Sequence, residues 1–169
     1  MIFVTLGMEN FPFPRLLEAV AEAVTEGVIS KPVLVQNGST AYDSPWLEQR
    51  RLYDFSEMES LISDALIVVG HAGTGTVLLA RQLGRRPLVM PREQRRGEHL
   101  NDHQQDFARR LAKSGQAHVA WNKEELKRLL AELRAKPEMT RLDPYFPTRA
   151  RLTARLAELI AELNRHPPT

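Results

Sequence analysis

Apolar positions along this chain recur with two alternating periods. Ile2–Leu6 is a short apolar run ending at Gly7, the pattern of a buried strand. Phe13, Leu16, Leu17, Val20, Ala21 and Val24 follow at helical spacing. Lys31–Gln36 predicts a second strand, closed by the turn pair Asn37-Gly38. A polar loop through Trp46 leads to a short extended piece near Leu52–Phe55, after which Met58, Leu61 and Ile62 mark one face of a short helix. Ala65–Val69 predicts the central strand, followed by a helix beginning near Gly73, and Pro87–Met90 a further strand bounded by Pro91. Glu98–Ser114 has a helical pattern ending at Gly115, a good residue just past a helix end. Gln116–Ala120 is a last strand, and Leu126, Leu129, Leu130 and Leu133 mark another helix with Asn122 as its cap.

Strand–helix alternation of this kind predicts an α/β fold, a single Rossmann-like doubly wound parallel sheet. Ligands in such sheets sit outside the carboxyl ends of the strands. That rule places Gly7, Gly38, the His71–Thr76 loop and the Pro91–Gly97 loop on one rim. The tail differs: Met139–Thr148 is loop-like, with Pro144 and Pro147. Leu152, Leu156, Leu159, Ile160 and Leu163 then make a narrow apolar stripe flanked by Arg149, Arg151, Arg155 and Arg165. The expected division is residues 1–138 as the Rossmann-like domain and 139–169 as a loop and C-terminal amphipathic helix. Such a helix packs on its own domain or docks on a partner.

Composition narrows the chemistry. The 169 residues suffice for one domain with a single core. With no cysteine there is no disulfide, no thiol catalysis and no Cys-ligated zinc, which fits a reducing compartment. The net charge of +2, with Phe11, Phe13, Trp46 and Phe55 scattered, gives no footprint for nucleic acid. Arg81, Arg85, Arg86, Arg92, Arg95 and Arg96 face only Glu93 in their span, a basic patch suited to an anionic substrate or acidic headgroups, or a solvated surface. No signal peptide is visible, and apolar runs are far shorter than the roughly 20 residues of a bilayer span. The expectation is a cytoplasmic protein with at most a peripheral membrane role.

The stretch richest in chemistry is ALIVVGHAGTGT, Ala65–Thr76. A strand ends in a glycine loop and a helix begins at once. Gly73 and Gly75 permit close backbone approach, while free N–H groups and the helix dipole attract an anion. The plainer reading is that these glycines only cap a strand and start a helix. The P-loop pattern fails, since no Lys lies between Lys31 and Lys113, and the dinucleotide fingerprint fails at Leu78. A second polar run, Glu98–Gln104, begins a helix on the same rim and places Glu98, Asn101 and Gln104 at i, i+3 and i+6 on roughly one face, suited to hydroxyls of a ribose or sugar. His99 and His103 have the i, i+4 spacing of two metal ligands, with His71 as the one further nitrogen, but the HExxH order is missing and no metal is expected. Spacing supports no Ser-His-Asp or Cys-His arrangement.

Three stretches taken together, IFVTLGMENFPFPRLLEAV, LYDFSEMESLISDALIVVGHAGTGT and RRPLVMPREQRRGEHLNDHQ, resemble the donor-binding subunit of two-component glycosyltransferases. That group includes Alg13-like subunits of N-glycan assembly and PssE/EpsF-like proteins of exopolysaccharide synthesis, and is similar to the C-terminal half of MurG-type enzymes of GT-B architecture. The resemblance runs from residue 1 to about residue 120. It implies that His71, Ala72, Gly73, Thr74, Gly75 and Thr76 receive the diphosphate of a UDP-sugar. Asp54, Phe55 and Ser56 lie near the uracil. Asn101, Asp102, His103 and Gln104, with Glu98 ahead, border the sugar, and Pro91 and Arg92 belong to the region that sets donor choice. Gly7 and Met8 face the cleft where the acceptor arrives, with Gly38 on the same rim. Three departures stand out. Met8 replaces a small hydroxyl residue. Leu79 replaces a ribose-gripping carboxylate, so ribose recognition comes from elsewhere. Arg85-Arg86-Pro87 is one residue longer than the usual Gly-Lys-Pro, which resets the next strand.

A GT-B enzyme has two Rossmann-like domains, and this sequence supplies one. The resemblance therefore implies a membrane-anchored Alg14- or PssD-like partner that holds a lipid-linked glycan acceptor, and no cofactor. His71 is the one candidate base in this chain; otherwise the base lies on the partner. The rival reading is a non-catalytic nucleotide-binding sensor or adaptor. A third, a small hydrolase, needs metal on His99 and His103.

Overall fold

The computed structural model describes residues 1–142. Six strands, β1 (Ile2–Thr5), β2 (Val33–Gln36), β3 (Glu48–Arg50), β4 (Ile67–Gly70), β5 (Leu88–Val89) and β6 (His118–Val119), form one parallel sheet in the order β3-β2-β1-β4-β5-β6. Five helices connect and cover them: α1 (Pro14–Thr25), α2 (Phe55–Asp64), α3 (Thr74–Gln82), α4 (His103–Lys113) and α5 (Lys123–Ala135). This is the doubly wound Rossmann-like sheet that the alternation predicts. Strand order reverses between β1 and β4, where Thr5 pairs with Gly70. Loops leaving those two strands diverge to opposite faces and open a crevice between them.

Side-chain parity builds the two layers. On β1, Ile2, Val4 and Leu6 point into the core under α1 and α5, against Leu16, Leu17, Leu126 and Leu130. Phe3 points the other way, against Ile62 of α2 and Ala80 of α3. Val77, Val89, Ala108 and Leu111 seal α4 onto the sheet. Asp54 caps α2 with a full capping box, its carboxylate accepting from the Glu57 N–H while the Glu57 carboxylate accepts from the Asp54 N–H.

Two expected elements move. The third strand lies at Glu48–Arg50, upstream of the Leu52–Phe55 piece; it is a polar, mostly exposed edge strand held by backbone pairing to β2, so no apolar signal marks it. The helix expected from Glu98 begins only at His103. Residues 98–102 cannot coil because their side chains serve elsewhere: Glu98 takes a bidentate pair from Arg15, 2.8 Å at each oxygen, and Asp102 Oδ1 accepts from the Gln94 N–H. Gly97, at φ +71°, ends a short 3-10 turn at Gln94–Arg96 just before them. The face of Glu98, Asn101 and Gln104 on one helix therefore does not exist, nor does a helical His99–His103 pair.

The expected basic patch also dissolves. Arg81, Arg85 and Arg92 are buried, and Arg86 is half-buried. Arg85 donates to the carbonyls of Ile62, Ser63 and Ala65, satisfying the end of α2. Arg81 donates to Gln116 Oε1 at 2.8 Å. Only Arg95 and Arg96 reach solvent, and both pair with Glu93. After α5, a 3-10 turn at Pro137–Thr140 lets residues 140–142 bond back to Gly84 and Arg86. The amphipathic stripe at Leu152–Leu163 lies outside the described residues.

Removing one member of a buried ion pair strands the other. Arg15→Met, which keeps the stem and deletes the charge against Glu98, is expected to lower stability by about 3 kcal/mol. Urea unfolding measures this, and a loss below about 1 kcal/mol would mean the pair does not hold the 90s loop onto α1.

Candidate functional site

The crevice at the β1–β4 reversal is a cleft of about 690 Å³. Of the residues expected at the site, Gly7, Met8, Phe55, His71, Gly73, Thr74, Gly75 and Thr76 line it. Gly38, Ser56, Ala72, Pro91, Arg92, Glu98, Asn101, His103 and Gln104 do not.

Its floor is the imidazole of His71. The ring is buried, with Nδ1 3.3 Å from the carbonyl oxygen of Thr5. A carbonyl only accepts, so Nδ1 carries the proton and Nε2 the lone pair. Burial, together with the nearby Arg92 guanidinium, pushes its pKa down to about 4. The ring is neutral at pH 7. A proton acceptor of that pKa is a weak general base near neutrality.

Two of the expected glycines exist to accommodate this ring. A Cβ at Gly73 would lie 2.2 Å from His71 Nε2, and one at Gly7 would lie 2.8 Å from His71 Cε1. Between them Ala72 takes φ +63°, a left-handed conformation unusual for a side chain, which turns the loop onto the start of α3. Gly75 differs in kind, because a Cβ there meets nothing within 4 Å. It leaves space on the cleft side of the first turn of α3.

That turn supplies the polar groups. The helical bonds begin at the Val77 N–H, which donates to Gly73 O at 3.1 Å, so the amides of Thr74, Gly75 and Thr76 precede the ladder. Gly73, the cap residue, offers no side chain to satisfy them. The cleft contains no lysine or arginine among its lining residues, and Glu9 is its one charged side chain. Backbone dipoles rather than side-chain cations are therefore the groups here that could attract an anion.

The remaining expected residues hold the walls. Arg92, 1% exposed, donates to the carbonyls of Leu6 and Phe11 at 2.9 Å each and lies over the Phe13 ring. It pins the loop after β1. The Arg92 N–H donates to Gln104 Oε1 at 3.2 Å, and the Glu93 N–H to Glu98 Oε2 at 2.9 Å. Pro91 is buried, its carbonyl accepting from Arg15. Gly38 packs against the Gly7 carbonyl, where a Cβ would come within 2.4 Å, and lines a separate depression with Asn37 and Ser39. Ser56 is exposed and donates to Asp54 Oδ1. Asn101 and His103 are exposed; the His103 ring lies against His99, whose Nε2 meets Glu9 Oε2 at 3.2 Å. Among the described residues, no three His, Asp or Glu side chains gather as metal ligands.

Leu79, which the resemblance sets at a ribose-gripping position, also lines the cleft, and so do Glu9, Gln36, Tyr53, Met58, Leu78 and Gln82, which were not expected there. Leu78 and Gln82 could have been found by projecting α3 from Gly75, since i+3 and i+7 share its face. Gln36 could not. Its amide bridges Thr5 Oγ1 at 3.2 Å and the Tyr53 N–H at 3.1 Å, a link visible only once β1 and β2 are paired.

Residues 1–163 match the model of the glycosyltransferase family 28 C-terminal domain. The chain belongs to that family. No curated protein sequence matches it significantly. Among solved structures it is similar to the glycotransferase of kitacinnamycin, at TM-score 0.60 and 17% identity over 82% of this chain and 36% of that one. CalG4, the calicheamicin glycosyltransferase, aligns at TM-score 0.59 and 20% identity over 99% and 43%. MurG of Acinetobacter baumannii aligns at TM-score 0.52 and 18% identity over 81% and 42%. These likenesses show the fold, a GT-B half domain. The family 28 chain spans well under half the length of each of these structures.

The two loop glycines should respond in opposite ways. Gly73→Ala is expected to destabilise the fold by about 2 kcal/mol or more through its clash with His71. Gly75→Ala should be neutral or stabilising by up to about 1 kcal/mol, as alanine favours the helix. Chemical denaturation of both variants tests this, and equal losses would refute the His71 clamp. His71 adds a pH signature. Its folded pKa, about 4, lies below the unfolded value of 6.5, so its contribution is complete above pH 6.5 and lost as pH falls toward 4. A His71→Gln variant should flatten stability between those pH values, and an unchanged slope would contradict the buried neutral ring.

Proposed function

We propose that this family 28 domain is the donor-binding subunit of a heteromeric glycosyltransferase and holds a UDP-sugar in the β1–β4 cleft. One observation carries the reading: three unladdered amides of α3 open onto a cleft that Gly75 keeps clear. Thr74, Gly75 and Thr76 would take the diphosphate on their N–H groups. Phe55, 68% exposed on the cleft wall, is placed to meet the base, with Ser56 beside it. His71 and Ala72 set the loop. Pro91, Arg92, Glu98, Asn101, His103 and Gln104 shape the side where the sugar lies, the buried members by fixing the loops. As the glycosidic bond breaks, negative charge grows on the departing UDP, and pre-aligned N–H groups stabilise it without reorganising.

The acceptor hydroxyl needs a base. His71, neutral and buried, fills that role poorly, and a base on the facing half serves better. That half we assign to a membrane-anchored Alg14- or PssD-like partner presenting a lipid-linked glycan, in exopolysaccharide biosynthesis at the cytoplasmic face. Support comes from the likeness of residue 1 to about residue 120 to donor-binding subunits of two-component glycosyltransferases. No described helix is long and apolar enough to cross a membrane.

Calorimetric titration of the chain with UDP, ADP and GDP in EDTA tests the donor site. UDP is expected to bind selectively, and Gly75→Asp to weaken it at least about tenfold by setting a carboxylate against the diphosphate. Thermal melting of the variant should stay at the wild-type value. Preference for ADP would favour the sensor or adaptor reading instead.

A further inference from the structure

We infer, on the donor-site reading above, that the Glu9 carboxylate is a charge filter: it opposes the departing UDP more than the UDP-sugar and so lowers the affinity for product relative to donor. In the transfer the glycosidic carbon–oxygen bond breaks with its electron pair left on the outer phosphate. The acceptor oxygen bonds the sugar, and its proton passes to the base. A phosphate ester thereby becomes a terminal phosphate, whose second ionisation near about pH 6 gives UDP one negative charge more than the donor. Backbone N–H groups alone would hold the more charged ligand more tightly. A fixed negative charge in the same cleft works against that bias, whichever way the nucleoside runs.

Glu9 suits this part by the way it is held. It alone is charged among the lining side chains, since the His71 ring is neutral at pH 7. Its carbonyl accepts from the Ser39 hydroxyl at 2.8 Å, and its Oε2 lies 3.2 Å from His99 Nε2. His99 Nδ1 accepts from the Asn101 N–H at 3.4 Å, so Nε2 carries the proton and donates to Glu9. The His99 side chain is 9% exposed and packs against the rings of Phe11 and His103, which fixes that donor in place. Glu9, with its side chain 55% exposed, is thus tethered and still open to the cleft. The Arg92 guanidinium, 3.7 Å from the same oxygen, offsets part of the charge from behind, being buried and absent from the lining. The nearest full charge to a ligand is therefore negative. A cleft of about 690 Å³ spans roughly 10 Å, close to the ~8 Å screening length at physiological salt, so a diphosphate anywhere within it feels Glu9. At that range each unit of ligand charge changes affinity by about two- to fivefold.

Glu9→Gln removes the charge and keeps an oxygen for His99. Titration calorimetry of the full chain and of this variant, in EDTA at about pH 8 and about 20 mM salt, uses UDP and its β-methyl ester, which carries the donor's charge without a sugar. In the variant UDP should bind about tenfold more tightly and the ester about fivefold, so that their affinity ratio shifts about twofold or more toward UDP. About 0.5 M salt should erase most of that shift, which a merely structural change would not do. Glu9→Ala supplies the same test should Glu9→Gln fail to fold. An unchanged ratio, or a shift that salt leaves intact, would overturn the charge filter while leaving the donor site standing. Weaker binding of both ligands by the variant would make Glu9 a ligand contact and overturn it equally. Binding of neither ligand to either protein would overturn the donor-site reading and this inference with it.

Discussion

One ring under two glycines sets the geometry of this domain's cleft. Parallel pairing of β1 with β4 brings Thr5 beside Gly70, and the loops that follow must part to opposite faces of the sheet. The His71 imidazole fills the space that opens, its Nδ1–H donated to Thr5 and its other edge against Gly7 and Gly73. A side chain at either glycine would drive the loops apart. The left-handed turn at Ala72 and the starting point of α3 both follow from that contact. So does the direction in which the first amides of α3 point.

Around this centre, positive charge has been moved inward. Arg15, Arg85 and Arg92 look like surface cations in the sequence, yet Arg15 and Arg85 donate to carbonyls or a buried carboxylate, and Arg92 gives one nitrogen to two carbonyls while its Nε and Nη1 stay buried without a hydrogen bond. Arg85 closes α2, Arg92 anchors the loop after β1, and Arg15 ties α1 to Glu98. Truncating any of them leaves polar groups buried without partners, so their role is to fix loops in place. Apart from the Glu9 carboxylate, the cleft keeps only partial charges, those of helix amides. An anion held on backbone dipoles can be bound and released with less desolvation than one locked against buried arginines. The same arrangement suits a group whose charge changes during a reaction.

How far the cleft was legible in the chain depended on the kind of interaction. The strand–helix alternation, the β1 and β4 loops and the glycine-led start of α3 were readable, because burial periodicity and glycine placement are local. The edge strand Glu48–Arg50 was not: backbone pairing holds it, and its side chains carry no apolar mark. Nor was the late start of α4, since a carboxylate claimed by an arginine 83 residues away outweighs local helix periodicity.

By itself, then, the sequence determined the layer order, the rim on which the strand-end loops gather and the residues of the glycine loop, all consequences of short-range pattern. Only the tertiary structure decided the purpose of each. It separated Gly73, required by the His71 ring, from Gly75, which faces open space. It turned the arginine run from a surface patch into internal ties. It also joined α2 and α3 into an apolar groove from residues far apart in the chain. Packing against distant partners sets these roles, and periodicity carries no information about those partners.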